Sequence, residues 1–448
     1  MSDAPGTRTD LLLVVHPERP LVLDAVPTVA VDAQYPDWGD LLGAAAALCP
    51  DGAWPHGPVR VTAAGRVSVV VACSERVAGG AAWVPAPPSG LPDPVGDAVR
   101  AVLDEDAGHA AVDARRVPWM CRGWWPEATA WVDAALAAAG RAPRTAALRP
   151  VVAGSISAVA EVTTAAGALW LKAVPGFFAR EPALVPALAA VRAQASADGT
   201  PLPQVPHVVA SRDDGRDGGP GGARMLTTDA GPVPDDVLPG ERARLGAGLA
   251  RLQVATATHL AVLRHRGRLD DRSPDALAAG LARVVEDGLW LGALDADERA
   301  RLRAVAPLWQ DRLRALGSSG LPPVLVHGDY HPWNVVRRPG WADGEEVAID
   351  WTDAAHGVVG LDLVPVAGRR ADPVEHDGVV AAYVRALAEG FGRPEGEVAA
   401  AVTAALPAAW VLQALAYEAI GAGSDPLVRW EHEQGQPTAL RGLLAAEV

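Results

Sequence analysis

Residues 324–351, VLVHGDYHPWNVVRRPGWADGEEVAIDW, restrict this chain to a narrow set of folds. An apolar strand-like run delivers His327, Gly328 and Asp329, and Asn334 follows Asp329 by five residues. A turn rich in Gly and Asp leads to a second strand-like run, EVAI, which ends on Asp350. Phosphoryl transfer needs this set of groups. One carboxylate near an acceptor hydroxyl orients it and takes its proton, while an amide and a second carboxylate hold magnesium against nucleotide phosphates. Oxygen ligands on adjacent strand ends suit an ion that dehydrates reluctantly.

The sequence HGDYHPWN followed by IDW, with 16 residues from Asn334 to Asp350, resembles the aminoglycoside phosphotransferase and choline kinase branch of the protein-kinase-like fold. It is most similar to actinobacterial small-molecule phosphotransferases that carry an HGDxHPWN loop. The resemblance implies Asp329 as catalytic base, Asn334 and Asp350 as Mg2+ ligands, and Asp362 in GLDL as structural support for the loop. It implies ATP or GTP as phosphoryl donor, and gives His327 a structural hydrogen-bonding role. It also accounts for Lys172, the one lysine in a chain with 39 Lys and Arg residues. Kinase-like folds hold the α- and β-phosphates with a lysine on the third strand of the small lobe, oriented by a helix glutamate. Lys172 lies on such a strand, and Glu181 is the sole glutamate between it and Glu241. An ammonium is a compact point charge that the planar guanidinium fork does not replace.

The segment VVAGSISAVAEVTTAAGALWLKAV, from Val151, reads as strand, Gly/Ser loop, strand, turn and strand, with Leu169 and Leu171 facing opposite to Trp170 and Lys172. The candidate phosphate loop is Gly154, Ser155 and Ser157, where backbone N–H groups and hydroxyls can meet phosphate oxygens. FAREPALVPALAAVRAQ follows as a helix, RDDGRDGGPGG (212–222) reads as a hairpin tip, and RMLTTDAG matches the position of a nucleobase-binding hinge, with Met225 and Thr227 among its candidates. After Pro234 the pattern is mostly helical, with Leu245, Leu249 and Leu252 on one face. The fold class is therefore α+β: a two-lobed kinase-like fold with a β-rich N-lobe and helical C-lobe, preceded by a small α+β domain. The expected division is 1–117 for that domain, 118–230 for a linker helix and N-lobe, and 231–448 for the C-lobe.

The N-terminal part alternates short strands and turns before the helical PVGDAVRAVLDEDAG, capped at Gly108. Its outline is similar to a Nudix fold, but the glutamate-rich metal box is missing, since Glu18, Glu75 and Glu105 are widely scattered. An accessory role follows. Trp119, Trp124, Trp125 and Trp131 read as a dock between domains, with ligand stacking as the alternative. Cys49, Cys73 and Cys121 show no CxxC pairing, which indicates neither a zinc site nor a disulfide framework. A net charge of −15 argues against nucleic acid as partner. With no signal-like N-terminus and no membrane-length apolar run, the expectation is a cytoplasmic protein without a membrane partner.

Two features argue for a small-molecule acceptor over a protein. Gly328 stands where protein kinases carry the arginine that receives a phosphorylated activation loop, and only 11 residues separate Asp350 from Asp362. In WVLQALAYE, Trp410, Gln413 and Tyr417 share a helical face with Glu418 beside them, which suits a sugar or amino sugar and equally suits core packing. Asp353, Glu431 and Glu433 are carboxylates available to acceptor ammonium groups, and Trp333 and Trp351 flank the catalytic residues. His331 and His356 have no metal-ligand spacing. The alternative function is a non-catalytic nucleotide- or metabolite-binding module.

Overall fold

A computed structural model of the chain describes residues 8–31, 38–62, 65–85, 92–195, 199–214, 222–367 and 373–446. Most of the expected hairpin tip at 212–222 lies outside the described residues. The chain opens with β1 (Arg8–Val15), β2 (Leu21–Leu23), β3 (Thr28–Val31), α1 (Trp38–Leu48), β4 (Ala53–Thr62), β5 (Gly65–Ala72), β6 (Trp83–Pro85) and α2 (Asp93–Asp106). The strands form one sheet in the order β4-β5-β1-β2-β6, with β3 also paired to β1. Period-2 alternation turns Leu13 and Val15 of β1 and Val67 and Val69 of β5 toward Val95, Val99 and Val102 of α2, whose helical spacing puts them on one stripe. Gly108, at φ +74°, ends α2 as its sequence position suggests.

In this sheet Asp10 and Arg66 sit opposite each other on the parallel pair β1 and β5. Both are buried, and the guanidinium grips the carboxylate through Nε–H at 2.5 Å and Nη2–H at 2.9 Å. The bidentate geometry is what makes burial of two charges tolerable.

Next come α3 (Trp124–Ala138), β7 (Arg149–Ala153), β8 (Ala158–Thr164), β9 (Gly167–Pro175), α4 (Glu181–Ala195), β10 (Val208–Asp213) and β11 (Gly222–Thr228). Their strands form a second sheet in the order β10-β11-β9-β8-β7. The tryptophan cluster packs between the two sheets. Trp125 of α3 stacks parallel to Trp54 of β4 at 5.8 Å, Trp124 stands at 90° to Trp125, and the Arg224 guanidinium of β11 lies over Trp124. Trp119 donates its indole N–H to the carbonyl of Gly154 at 2.7 Å. Of the two readings left by the sequence, the dock describes these rings.

The remainder is α5 (Glu241–Ala257), α6 (Leu260–Gly267), β12 (Asp270–Arg272), α7 (Pro274–Asp287), α8 (Ala296–Ala315), β13 (Val324–Val326), β14 (Val335–Val336), β15 (Val347–Ala348), β16 (Ala355–Gly357), α9 (Leu363–Ala367), α10 (Pro373–Phe391), α11 (Glu395–Ala405), α12 (Ala408–Gly423) and α13 (Gly435–Ala445). Leu245, Leu249 and Leu252 of α5 enter the helical core as their spacing predicts. The architecture is thus α+β, with a β-rich part followed by a helical one in kinase-like order. Among the described residues no single helix is long and apolar enough to cross a membrane.

Two compact units divide the chain: Met1–Gly176 with Arg212–Thr227 and Gly423–Glu431, and Phe177–Ser211 with Thr228–Ala422 and His432–Val448. The first therefore contains both sheets' main strands together with a short C-terminal segment.

Asp10→Ala strands the buried Arg66 charge and is expected to cost about 3–5 kcal/mol of stability. Asp10→Leu combined with Arg66→Met removes both charges and should recover most of that loss, read as the urea unfolding midpoint.

Candidate active site

The segment from His327 to Asn334 grows out of β13, which pairs antiparallel with β16, with Val326 opposite Ala355. Where β13 ends, the chain would leave two backbone N–H groups without ladder partners. Asp362 takes both: Oδ2 accepts from His327 N–H at 3.0 Å and Oδ1 from Gly328 N–H at 2.8 Å. Gln253 of α5 donates from Nε2 to Asp362 at 3.2 Å and to the carbonyl of Leu325 at 2.9 Å. The Tyr383 hydroxyl donates to Gln253 Oε1 at 2.5 Å and accepts from Gly360 N–H at 3.0 Å. Burial raises the Asp362 carboxyl to about 6, against the pull of the two N–H groups that favour its charged form.

Gly328 adopts φ +92°, and a Cβ there would lie 2.5 Å from the carbonyl oxygen of Asp353 and 2.6 Å from its Cβ. A side chain at this position is excluded both by backbone conformation and by space. The glycine is what lets Asp353 close onto the loop.

Register then sets the candidate groups side by side. Val335 of β14 opposes Ala348 of β15, and Ile349 N–H continues the pairing to the carbonyl of Asn334 at 2.9 Å. Asp350 is the next residue, held at φ +62° with its Oδ1 accepting from the Thr352 hydroxyl at 2.7 Å. Few residues other than Gly occupy that backbone region, and Asp is among those that tolerate it. Asn334 sits on the 3-10 turn Pro332–Asn334 and donates from Nδ2 to the Asp329 carbonyl at 3.0 Å, with Asp329 Oδ2 at 3.4 Å. Asp329, Asn334 and Asp350 are thereby brought together, as the motif spacing suggested.

His327 is wholly buried, and its ring lies 4.4 Å from that of Trp351, tilted by 48°. Its Nε2 meets the Ile349 carbonyl at 3.0 Å, and its Nδ1 lies 3.4 Å from Asp329 N–H. Burial depresses its pKa to about 4, so the ring is neutral at physiological pH and works as a hydrogen-bonded spacer. His356 of β16 bonds through Nδ1 to the carbonyl of Asp270 at 2.9 Å. His331 Nε2 lies 3.4 Å from Asp329 Oδ2.

Glu181 heads α4, is buried, and accepts the Trp351 N–H at 2.9 Å, fixing that helix to the residue after Asp350. Asp353 belongs to the same neighbourhood. Burial, then the charges of Asp329 and Asp350, push its carboxyl up to about 7. Those carboxylates concentrate negative charge, and the donor set suits a hard divalent cation. With Nδ2 of Asn334 turned to Asp329, its Oδ1 is the atom left to ligate, and Asp350 supplies a carboxylate. Among the described residues no group of three or more His, Cys, Asp or Glu could hold a metal ion by itself. An ion on two protein oxygens completes its shell with water and phosphate, the habit of Mg2+ at nucleotide sites.

The candidates Lys172, Gly154, Ser155, Ser157, Met225 and Thr227 lie in the first unit. Lys172 is half-buried on β9 opposite Val159 of β8, on the face shared with Trp170, while Leu169 and Leu171 are buried. Gly154–Ser157 form a turn closed by Gly154 N–H to the Ser157 carbonyl at 3.0 Å. Ser155 is fully buried, and its N–H and hydroxyl both donate to Oε2 of Glu431, at 3.0 and 2.6 Å. The turn does bind an oxyanion, but here it is the chain's own carboxylate. Glu431 therefore departs from its sequence reading as an acceptor-facing acid: it is a buried anchor 276 residues from its partner. Met225 and Thr227 are buried on β11, with Thr227 Oγ1 at 3.5 Å from the carbonyl of Trp170. Asp229 lines a pocket of about 390 Å³ with His207, Thr228, Val336, Arg338 and Trp341.

The α12 residues proved to be packing residues in large part. One face of Trp410 covers Gly442 and one face of Tyr417 covers Gly435, where a Cβ would fall 2.5 and 2.2 Å from ring atoms. Gln413 is buried. Glu418 Oε2 accepts from Leu289 N–H at 2.9 Å and from Gln436 Nε2 at 2.5 Å. Of the two roles the sequence left open for this aromatic face, packing of α12 on α13 is the one these rings display.

Residues 147–398 match the model of the APH phosphotransferase enzyme family, more than half of the chain, and the chain belongs to that family. No curated protein matches it. Among solved structures, the GDP and kanamycin complex of APH(2")-IIia is 14% identical, covering 70% of this chain and 97% of its own, with a TM-score of 0.47. The macrolide 2'-phosphotransferase MphH from Brachybacterium faecium is 22% identical over 65% of this chain and 97% of its own, with a TM-score of 0.43. A microcompartment-associated aminopropanol kinase is 17% identical over 67% and 91%, with a TM-score of 0.46.

Asp362→Ala leaves the N–H groups of His327 and Gly328 buried without an acceptor. At about 1–3 kcal/mol for each such group, the urea midpoint should fall clearly. Ser155→Ala and Glu431→Gln should each destabilise, and their double-mutant cycle should show a favourable coupling, since both remove one contact.

Proposed function

We propose that this protein moves the γ-phosphoryl group of ATP or GTP, with Mg2+, to a hydroxyl of a small molecule such as an aminoglycoside, an amino sugar or another natural product. The observation that carries this reading is the bond from Asn334 Nδ2 to the Asp329 backbone, made while the β14–β15 register brings Asp350 alongside. Membership in a phosphotransferase family supports the reaction class.

In the proposed reaction, Asp329 accepts a hydrogen bond from the acceptor hydroxyl and takes its proton as the oxygen attacks the γ-phosphorus. The bond between that phosphorus and the β–γ bridging oxygen breaks, and the electron pair leaves with the nucleoside diphosphate. Mg2+, when bound by Asn334 and Asp350, would neutralise charge on the phosphates. Lys172 is assigned to the α- and β-phosphates and Glu181 to its orientation, while the Gly154–Ser157 turn, occupied by Glu431, is given no part in holding phosphate. Gly328 and the short Asp350–Asp362 interval support a small acceptor, because they leave no receptor or room for a long activation segment.

The test is release of ADP or GDP across a panel of sugars, aminoglycosides, nucleosides and amino alcohols. Asp329→Asn should lower transfer by about 10²–10⁴-fold while Mg-nucleotide binding, measured by calorimetry, persists. Full activity in that variant would remove the mechanism. Chelation by EDTA should abolish transfer, and added Mg2+ should restore it.

A further inference from the structure

Two tryptophans flank the catalytic groups, and their surroundings differ. Trp351 is 0% exposed and donates its indole N–H to the carbonyl of Ala348 at 3.0 Å, so the fold consumes it fully. Trp333 is 48% exposed and is the one aromatic among the large exposed apolar side chains of the described residues. An indole half in water contributes little to folding, and single exposed apolar residues are common. Its position is what makes Trp333 informative. It lies on the turn Pro332–Asn334, four residues after Asp329 and directly before Asn334.

That turn is rigid. Pro332 is buried, its carbonyl accepts from Arg337 Nη1 at 2.8 Å, and Asn334 N–H donates to the His331 carbonyl at 2.9 Å. The backbone that carries the indole is therefore held in one conformation, four residues on from Asp329. The guanidinium of Arg242 stands 6.0 Å from its ring centre and is itself tied to the carbonyl of Val366 at 2.9 Å. The ring of His331 lies 5.9 Å away, tilted by 58°.

We propose that Trp333 is the platform on which the acceptor lies, and that the acceptor is a cyclic alcohol whose apolar ring face covers the indole while an edge hydroxyl reaches Asp329. This rests on the phosphotransfer reading of Asp329 and Asn334. Arg242 already supplies a cation to the electron-rich ring, so an ammonium stacked there meets repulsion from a second cation. Anionic acceptors meet the carboxylates of Asp329, Asp350 and Asp353. What remains is the C–H face of a saturated ring, which gains dispersion and area burial on an indole. An open-chain polyol presents no flat face and loses more torsional freedom on binding.

Isothermal titration calorimetry on the full chain with Mg2+ and nucleotide tests this, using myo-inositol and methyl glucoside as ring probes and sorbitol as the open-chain probe. Wild type should bind the ring probes about tenfold tighter or more than sorbitol. Trp333→Ala should erase that preference, and Trp333→Phe should keep most of it. Equal binding by wild type and Trp333→Ala, no ring preference in wild type, or no probe binding at all would overturn the platform. If Trp333→Ala also loses nucleotide affinity, its turn has unfolded and the Phe variant decides. Failure of the phosphotransfer reading shows separately, as unimpaired transfer by Asp329→Asn, because the ring preference is read from binding alone.

Discussion

A single buried carboxylate carries the geometry of the loop from His327 to Asn334. Asp362 accepts two consecutive backbone N–H groups just past the end of β13, and Gln253 and Tyr383 fix it from α5 and α10. In a low-dielectric setting such charge-assisted bonds are strong when complete and costly when broken, so the loop has one arrangement. Gly328 can then hold its left-handed conformation and accept Asp353 against it. The division of labour between carboxylates follows from solvent. Asp362 is sealed and serves structure, while the side chain of Asp329 is about half exposed, 48%, and open to solvent.

What the sequence revealed was local. Strand alternation put Leu169 and Leu171 on one face and Lys172 on the other, and the interval from Asp329 to Asn334 fitted a single tight turn. Two short strands then sufficed to bring Asp350 alongside. The α5 leucines followed from helical period alone. Periodicity, however, tells which side of an element faces inward, not what it meets. Trp410 and Tyr417 were visible as one helix face, but their partners are Gly442 and Gly435, which leave no mark in a hydrophobic pattern. Gln253 and Tyr383 were silent for a related reason: a buried hydrogen-bond relay has no period. The positive φ of Asp350 was also invisible, since Asp occupies ordinary backbone far more often.

Glu431 was the largest departure, and its cause is chain topology. The segment Gly423–Glu431 belongs to the first compact unit although the chain on either side of it belongs to the second. Within that unit it touches three separate parts. Asp425 pairs with Arg116, which also binds Glu105 of α2 at 2.9 Å; the Trp430 indole donates to the carbonyl of Val59 in β4 at 3.3 Å; and Glu431 seats on Ser155. One short segment thus ties the N-terminal sheet to the β7–β8 turn. An accessory sheet that shares its anchor with a phosphate-loop candidate is integral to that unit's packing, whatever chemistry its missing metal box denies it.

Charge balance completes the physical case for a divalent ion. Asp353 is lifted to about 7 largely because it is buried near Asp329 and Asp350, and the nearby arginines do not cancel that field. Arg180 spends its guanidinium on the carbonyls of Thr352 and Phe177 and on Asp270, and Arg272 also faces Asp270. A triphosphate entering alone would add negative charge beside these carboxylates, at a cost that rises as water is excluded. A divalent cation, if held by Asn334 and Asp350 as proposed, would offset that repulsion. The acidity of the site would therefore repel a bare nucleotide, and the proposed Mg2+ would relieve that repulsion.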